Sequence, residues 1–486
     1  MYAMKSIVLA EKPSVGKEIG RILRCDKKTK GFWEGREHIV TWALGHLVEL
    51  ADPGEYDERY KTWQLDYLPM LPERMRHRVI RKTSHQFKTI RGLFTRNDVN
   101  HLIIATDAGR EGELVARWTM RLGGWKGPVS RLWISSQTDT AVLNGFSNLK
   151  PGQEYENLFR AAECRAEADW IIGMNVTRAL TCKHDARLSA GRVQTPTLDL
   201  IVKREQEIDD FIPAPYFTIQ AEFGQFKAAW TGPKGANRIS DPARAGSIAE
   251  KVSGKEAVVT RMTRKQKNEP PPRYTEGNLL HAMENAGKLI EDQALRKAVT
   301  GMGLGTVATR ADIIEKLLGK YYIERHGAQL RPTTRGIELL DLVPDQLKSA
   351  ELTGQWEQRL TRIAAGQESG VAFCAAIRTS CKELVLRVKN STQTFRPKNT
   401  NTKPCPMCGK KMLAVRDKRG RKLLTCQSFA CGYEEREDAG DTFAHRPSRR
   451  ERAMNQKLIR QYSDNSKETA TLGDLIKASR ERNQKN

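Results

Sequence analysis

The stretch "IIATDAGREGELVARW", Ile103 to Trp118, decides how this chain folds. An apolar run ends at Thr106, and Asp107, Arg110, Glu111 and Glu113 follow at once. The pattern predicts a buried strand over His101 to Thr106 that passes into a helix. Acids at a helix N-terminus are favoured by its dipole and need no function. In the same place they suit magnesium, because a hard divalent ion takes oxygen ligands. The stretch alone leaves both readings open.

Working outward, "KSIVLAEKPSVGKEIGRIL" at the N-terminus repeats the arrangement. Ser6 to Ala10 reads as a second buried strand, and Ser14 as the cap of a helix from about Val15 to Leu23. Glu11 and Lys12 then stand at a strand's carboxyl end, where open α/β sheets place their ligands. "VSRLWI", Val129 to Ile134, is a third strand of the same α/β unit.

Composition narrows the partner. The 486 residues suffice for roughly two to four domains. With 82 Lys plus Arg against 58 Asp plus Glu, the formal charge is +24. Such an excess favours a polyanion, nucleic acid being the commonest, over a merely soluble basic protein. No apolar run reaches the roughly 20 residues of a membrane span and no signal-peptide pattern opens the chain, so a cytosolic setting without a membrane partner is expected.

Five cysteines are scattered, and four are not. Cys405 and Cys408 form C-x2-C; after a gap of 17 residues Cys426 and Cys431 form C-x4-C. Four thiolates in two knuckles make a closed tetrahedral zinc site with no position open to substrate, which is a structural role. Disulfides are disfavoured in the cytosol. The intervening "KKMLAVRDKRGRKLL" reads as strand, basic turn and strand, the pattern of a zinc ribbon that grips nucleic acid.

Between these ends, Glu154 to about Leu180 is strongly helical, and Ser189 to Ile208 is a Gly-led loop entering another helix. Tyr216 to Thr263 reads as β-rich and ends at the proline break "KQKNEPPPRY". Glu276 to Val343 alternates helices with a short hairpin at "YYIERHGAQLRPT". The tail after Ala444 is basic and polar, with one helix expected near Leu472 to Ser479.

Six motifs in order, "EKPS" (Glu11 to Ser14), "ALGHLVEL" (Ala43 to Leu50), "TDAGREGE" (Thr106 to Glu113), "GRVQTPTL" (Gly191 to Leu198), "PPPRYTEGNLLHAMENAGK" (Pro270 to Lys288) and "GLGTVATRADIIE" (Gly303 to Glu315), together resemble the bacterial type IA DNA topoisomerases of the topoisomerase III kind. The resemblance implies a multidomain α/β plus α architecture. A Toprim α/β domain would cover 1–150, a helical DNA-binding segment 151–215, and a shortened β segment 216–268. A winged-helix-like helical body would cover 269–392, a C-terminal zinc ribbon 393–444 and a basic tail 445–486.

It further implies an ATP-independent isomerase that binds single-stranded or negatively supercoiled DNA and, with magnesium, cleaves, passes and rejoins strands. Glu11, Asp107 and Glu111 would hold Mg2+. Glu11 would serve the leaving 3′-oxygen as proton donor or relay, and Lys12 would stabilise charge on the phosphate. The DNA-contacting positions are Trp63, Trp170, Arg178 and the loop Ser189, Ala190, Gly191, Arg192, Val193 and Gln194. Trp170 on an apolar helix face and His46 in "GHL" also suit structural roles. The implied location is cytoplasmic, with nucleoid or plasmid.

Two departures qualify this. The Toprim pattern Asp-x-Asp-x-Glu has Gly109 at its middle position, and one fewer carboxylate weakens a metal site. Arg110 and Glu113 read as helix-surface or loop-bracing residues. More seriously, the family's Tyr-Pro-Arg-Thr-Asp-like run, which carries the nucleophile, belongs between two proline-rich linkers. Here "RKQKNEPPP" runs straight into "RYTEGNLL". None of the 11 tyrosines is followed by that pattern, and Tyr274 matches the non-catalytic "RYTEG" tyrosine. With the tyrosine-bearing gate deleted, no closed ring is expected. Three functions follow as alternatives: a topoisomerase with an unrecognised or borrowed tyrosine, a single-strand-binding remnant without catalysis, or a Toprim-type nuclease using activated water.

Overall fold

The computed structural model describes residues 4–436, apart from 214–215, 224–225, 233–236, 253–257, 266–268, 290–302 (Arg296 excepted), 397–399 and 418–420. Two compact units emerge, one of residues 1–183 with 188–396, the other of 184–187 with the chain from 397.

The first unit opens with a sheet of seven strands: β1 Lys5–Ala10, β2 Lys27–Thr29, β3 Phe32–Glu34, β4 His38–Trp42, β5 Val99–Ala105, β6 Val129–Arg131 and β7 Lys150–Pro151, in the order β2-β3-β4-β1-β5-β6-β7. β1 pairs in parallel with both β4 and β5, and β5 in parallel with β6. Both expected N-terminal strands are present, while the third stops at Arg131 rather than Ile134. Because side chains alternate across a strand, the apolar runs feed two cores. Ile7, Leu9, Leu102 and Ile104 pack against α2 (Ser84–Phe94) and α3 (Arg110–Gly123). Val8, Ala10, Ile103 and Ala105 face α1 (Pro13–Ile22) and α4 (Asp139–Ser147).

This layering creates a junction. The chain leaves β1 through α1 on one face and continues toward β4; it leaves β5 through α3 on the other face and continues to β6. The carboxyl ends of β1 and β5 therefore flank a topological switch point, where open α/β sheets form their ligand crevice. α1 starts differently from the expectation. Lys12 is its N-cap with no side-chain cap bond, and Pro13 opens the first turn, leaving Ser14 inside it. Proline's fixed φ preorganises a helix start and needs no donor there.

Beyond the sheet run α5 (Glu156–His184) and α6 (Gln194–Asp209). The stretch expected to be β-rich is a three-stranded sheet, β9-β8-β10, of β8 Tyr216–Phe223, β9 Phe226–Ala229 and β10 Val258–Lys265. A helix absent from the expectation, α7 (Pro242–Val252), interrupts it. Its start was encoded in Asp241-Pro242, since the Asp241 carboxylate accepts from the Ala243 N–H and proline takes the first helical position. The helices and hairpin expected from Glu276 to Val343 are α8 (Glu276–Glu284), α9 (Val307–Gly319), β11 (Ile323–His326), β12 (Gln329–Pro332) and α10 (Thr334–Leu342). α11 (Ala350–Ala364) and α12 (Gly370–Asn390) follow.

In the second unit β13 (Thr400–Pro404), β14 (Lys411–Arg416), β15 (Lys422–Cys426) and β16 (Glu434–Arg436) form one antiparallel sheet in sequence order. The helix expected near Leu472 to Ser479 lies outside the described residues. No helix among the described residues is long and apolar enough to cross a membrane.

Candidate active site

Glu11 follows β1 and Asp107 follows β5, so the switch point brings together two carboxylates separated by 96 positions. The Asp107 N–H donates to Glu11 Oε2 at 2.8 Å. Burial pushes the Glu11 carboxyl above its usual range; the Asp107 amide opposes this, the Asp107 charge adds to it, and His46 and Lys12 pull it down. Lys12 and Asp107 are exposed. Glu111 is in the first turn of α3 with its side chain 44% exposed; its Oε1 accepts from Arg165 Nη1 at 2.9 Å, and its Oε2 lies 4.0 Å from His46 Nε2. His46, taken from sequence as structural, thus stands beside the carboxylates.

Two glycines of "TDAGREGE" do different things. A side chain on Gly112 would meet the Asp107 carbonyl at 2.1 Å, so the loop closes only over glycine there. At Gly109 a Cβ would meet nothing within 4 Å, and φ of 175° is ordinary extended backbone. The position that carries the family's middle acid is open to one.

Glu113 is not on the helix surface: it and Arg131 are both fully buried, with Arg131 Nε 2.6 Å from Glu113 Oε1. The Arg131 guanidinium also donates to the carbonyls of Thr106 (2.8 Å), Asp107 (2.7 Å) and Leu132 (2.6 Å). The pair is therefore the brace of the acid loop. Arg110 reaches across to Glu357 of α11 at 2.6 Å. Burial would raise the Glu357 carboxyl, yet Arg165, Arg110 and Arg192 hold it down at about 2. No local pattern announces Glu357, because its partners lie far along the chain.

The loop Ser189 to Gln194 joins α5 to α6. Arg192 is turned inward, 4% exposed, donating to Asp169 Oδ1 at 2.9 Å and to Glu357 Oε1 at 3.2 Å. The Ser189 N–H donates to Tyr322 Oη (2.8 Å), the Ala190 N–H to Thr177 Oγ1 (3.2 Å) and the Gly191 N–H to Thr195 Oγ1 (3.0 Å). Val193 is the N-cap of α6. Gln194 Nε2 donates to Ser189 Oγ at 3.0 Å, and Lys320 Nζ reaches both Ser189 Oγ (2.6 Å) and Gln194 Oε1 (3.2 Å). Burial, with Lys316 and Arg335 nearby, lowers the Lys320 ammonium to about 8. The sequence reading passed over this lysine.

Arg178 and Trp63 are brought together: the guanidinium lies 4.7 Å from the indole centroid and donates to the Tyr60 carbonyl at 2.7 Å. Trp170 is elsewhere, its N–H donating to the Ala51 carbonyl at 3.2 Å and its ring edge-on to Tyr56.

In the second unit the Sγ atoms of Cys405, Cys408, Cys426 and Cys431 all lie within 4.8 Å of one another. Tetrahedral Zn–S bonds of about 2.3 Å place sulfurs roughly 3.8 Å apart, so the donor set fits zinc. The Ser428 N–H donates to Cys426 Sγ at 3.4 Å, as around a metal thiolate. Among the described residues this is the only group of three or more His, Cys, Asp or Glu donors so close together. Glu11, Asp107 and Glu111 do not close into such a cage. They fit an ion that keeps several waters and takes further oxygens from phosphate, as magnesium does.

A family model described as DNA topoisomerase matches residues 153–272 and 264–375, and one described as Toprim domain matches 6–136. DNA topoisomerase 3 of Bacillus cereus is 32% identical over 642 aligned positions, covering 89% of this chain and 88% of the relative. The Bacillus subtilis protein of the same name is 33% identical, covering 88% of each. Subtracting 486 residues from 642 positions, at least 156 positions of the Bacillus cereus alignment face no residue here. Full-length topoisomerase I from Thermotoga maritima shares the fold, with a TM-score of 0.55 at 17% identity over 91% of this chain and 99% of that one.

Proposed function

We propose a function from one plain premise: this chain belongs to the type IA DNA topoisomerase family and is topoisomerase III-like. It carries the metal-binding and strand-gripping half of the family's site and lacks the half that supplies the nucleophile. It binds single-stranded DNA, including the unpaired regions of negatively supercoiled DNA, and by itself does not cut it. One observation carries this reading. The DNA topoisomerase match falls into two pieces that meet at residues 264–272, the junction where "RKQKNEPPP" runs into "RYTEG".

In this reading Glu11, Asp107 and Glu111 hold magnesium, which neutralises charge on a bound phosphodiester. Glu11, half-buried and bonded to the Asp107 amide, is placed to keep a proton for a departing 3′-oxygen. Lys12, exposed at the start of α1, faces phosphate charge. Trp63, half-buried and backed by the buried guanidinium of Arg178, offers an aromatic face to the strand. The Ser189–Gln194 loop receives phosphate after exchanging its internal partners. The helical body with its β11–β12 hairpin is winged-helix-like, and the four cysteines make a structural zinc ribbon. The protein works in the cytoplasm on nucleoid or plasmid DNA.

Plasmid relaxation with magnesium, run beside a Glu11→Gln control and a single-strand binding assay, tests the proposal. The expected result is no relaxation and no protein trapped on 5′ ends. Single-strand affinity should be intact and fall steeply with salt. Relaxation that vanishes in the control would reveal a hidden nucleophile, and products with free 5′-phosphates and no attached protein would reveal the nuclease alternative.

A further inference from the structure

Of the nine tryptophans, Trp133 is the most exposed, at 41%. A single apolar residue on a surface is ordinary. This one is mounted. It stacks on Tyr155, centroids 4.8 Å apart and planes 23° from parallel, and its ring centroid lies 5.0 Å from the buried guanidinium of Arg131. That guanidinium is the one that grips the Thr106 and Asp107 carbonyls, so a single side chain fastens both the carboxylate loop and the exposed indole. Summing those contacts and one C–N bond puts the indole centre within about 9 Å of the Asp107 carbonyl, or two to three stacked nucleotides at roughly 3.4 Å each.

Charges of both signs surround the indole, with Glu154 beside Tyr155. Lys150 of β7 stands opposite Arg131 in the antiparallel register and is exposed. Residues paired in this way project from the same face of a sheet, and Trp133 lies two positions past the end of β6. Beyond it, Ile134 to Gln137 join Thr106 to Ala108 in lining a cavity of about 320 Å³.

We propose that Trp133, backed by Tyr155, is a stacking platform for a nucleobase of the strand whose phosphate lies at the Glu11–Asp107 carboxylates. Lys150 neutralises the adjoining backbone. The proposal rests on the single-strand-binding reading above and adds to it the place where a base is held. Stacking of this kind takes any base, because every base has a π-face.

The test compares full-length wild type with Trp133→Ala, Trp133→Leu and Trp133→Phe on two oligonucleotides of equal length, one with 2-aminopurine walked along it and one built of abasic sites. Wild type should quench 2-aminopurine at one or two positions. The alanine and leucine variants should abolish that quench and weaken binding roughly five- to hundredfold. Their affinity for the abasic strand should stay within about twofold of wild type, and phenylalanine should restore most of the loss. Leucine keeps apolar packing without a flat face, so it separates stacking from folding. Equal losses on both strands, or no loss on either, would overturn the platform. A wild type that binds neither strand would overturn the single-strand reading beneath it as well.

Discussion

The acid loop after β5 and the Ser189–Gln194 loop after α5 are both stretches that the family motifs single out, and they are held in opposite ways. The acid loop is braced from below by a buried ion pair and presents its carboxylates outward: Asp107 is exposed and the Glu111 side chain is 44% exposed. The other loop is stitched to its own protein, with its first three amides bonded to Tyr322, Thr177 and Thr195 and its arginine turned inward between Asp169 and Glu357. At the first loop a ligand finds the Asp107 carboxylate exposed and meets Arg165 at Glu111. At the second, it must replace existing bonds. The difference teaches that a motif residue's type does not say whether its hydrogen-bonding capacity is available.

The largest expected effect tests the brace. Glu113→Ala leaves the Arg131 charge buried without its partner, which should cost about 3–5 kcal/mol of stability in urea unfolding. A loss below about 1 kcal/mol would mean that the acid loop is held some other way. The stitched loop has a signature in pH. Lys320 is lowered to about 8 from the usual 10.5, so between these values the unfolded chain binds its proton and the folded chain does not. Stability from this group therefore rises as pH increases across that window. Between pH 8 and 10 the wild type should gain on the order of 2 kcal/mol relative to Lys320→Met; parallel curves would show that the lysine is not constrained as described. The smallest effect sharpens the open side. Gly109→Asp adds a carboxylate where a side chain meets nothing, so metal-free thermal stability should be unchanged while magnesium binding, followed by manganese competition, tightens roughly five- to tenfold. Unchanged affinity would place the new acid outside the ion's reach.

Much of this was legible in the chain. Apolar runs ending in acids located β1 and β5, and two cysteine pairs with fixed spacing located the four converging thiols, because these signals are local. What escaped was non-local. Helix surface and loop brace stayed equally open for Glu113 because Arg131 is 18 positions away, and for Arg110 because Glu357 is 247 away. Lys320 looked like any lysine until Ser189, 131 positions earlier, was placed beside it. The helix Pro242–Val252 escaped for another reason: its start carried a clear Asp-Pro signature, but strand-like residues on both sides outweighed it.

Arg131 also sets how this end of the sheet moves. Its guanidinium ties together the carbonyls of Thr106, Asp107 and Leu132, so the acid loop and the end of β6 cannot loosen one at a time. Native-state hydrogen exchange should find the amides around residues 104–113 and 131–132 leaving protection together, in one cooperative opening rather than a graded fraying. Carboxylate loop and aromatic surface would then share one clock.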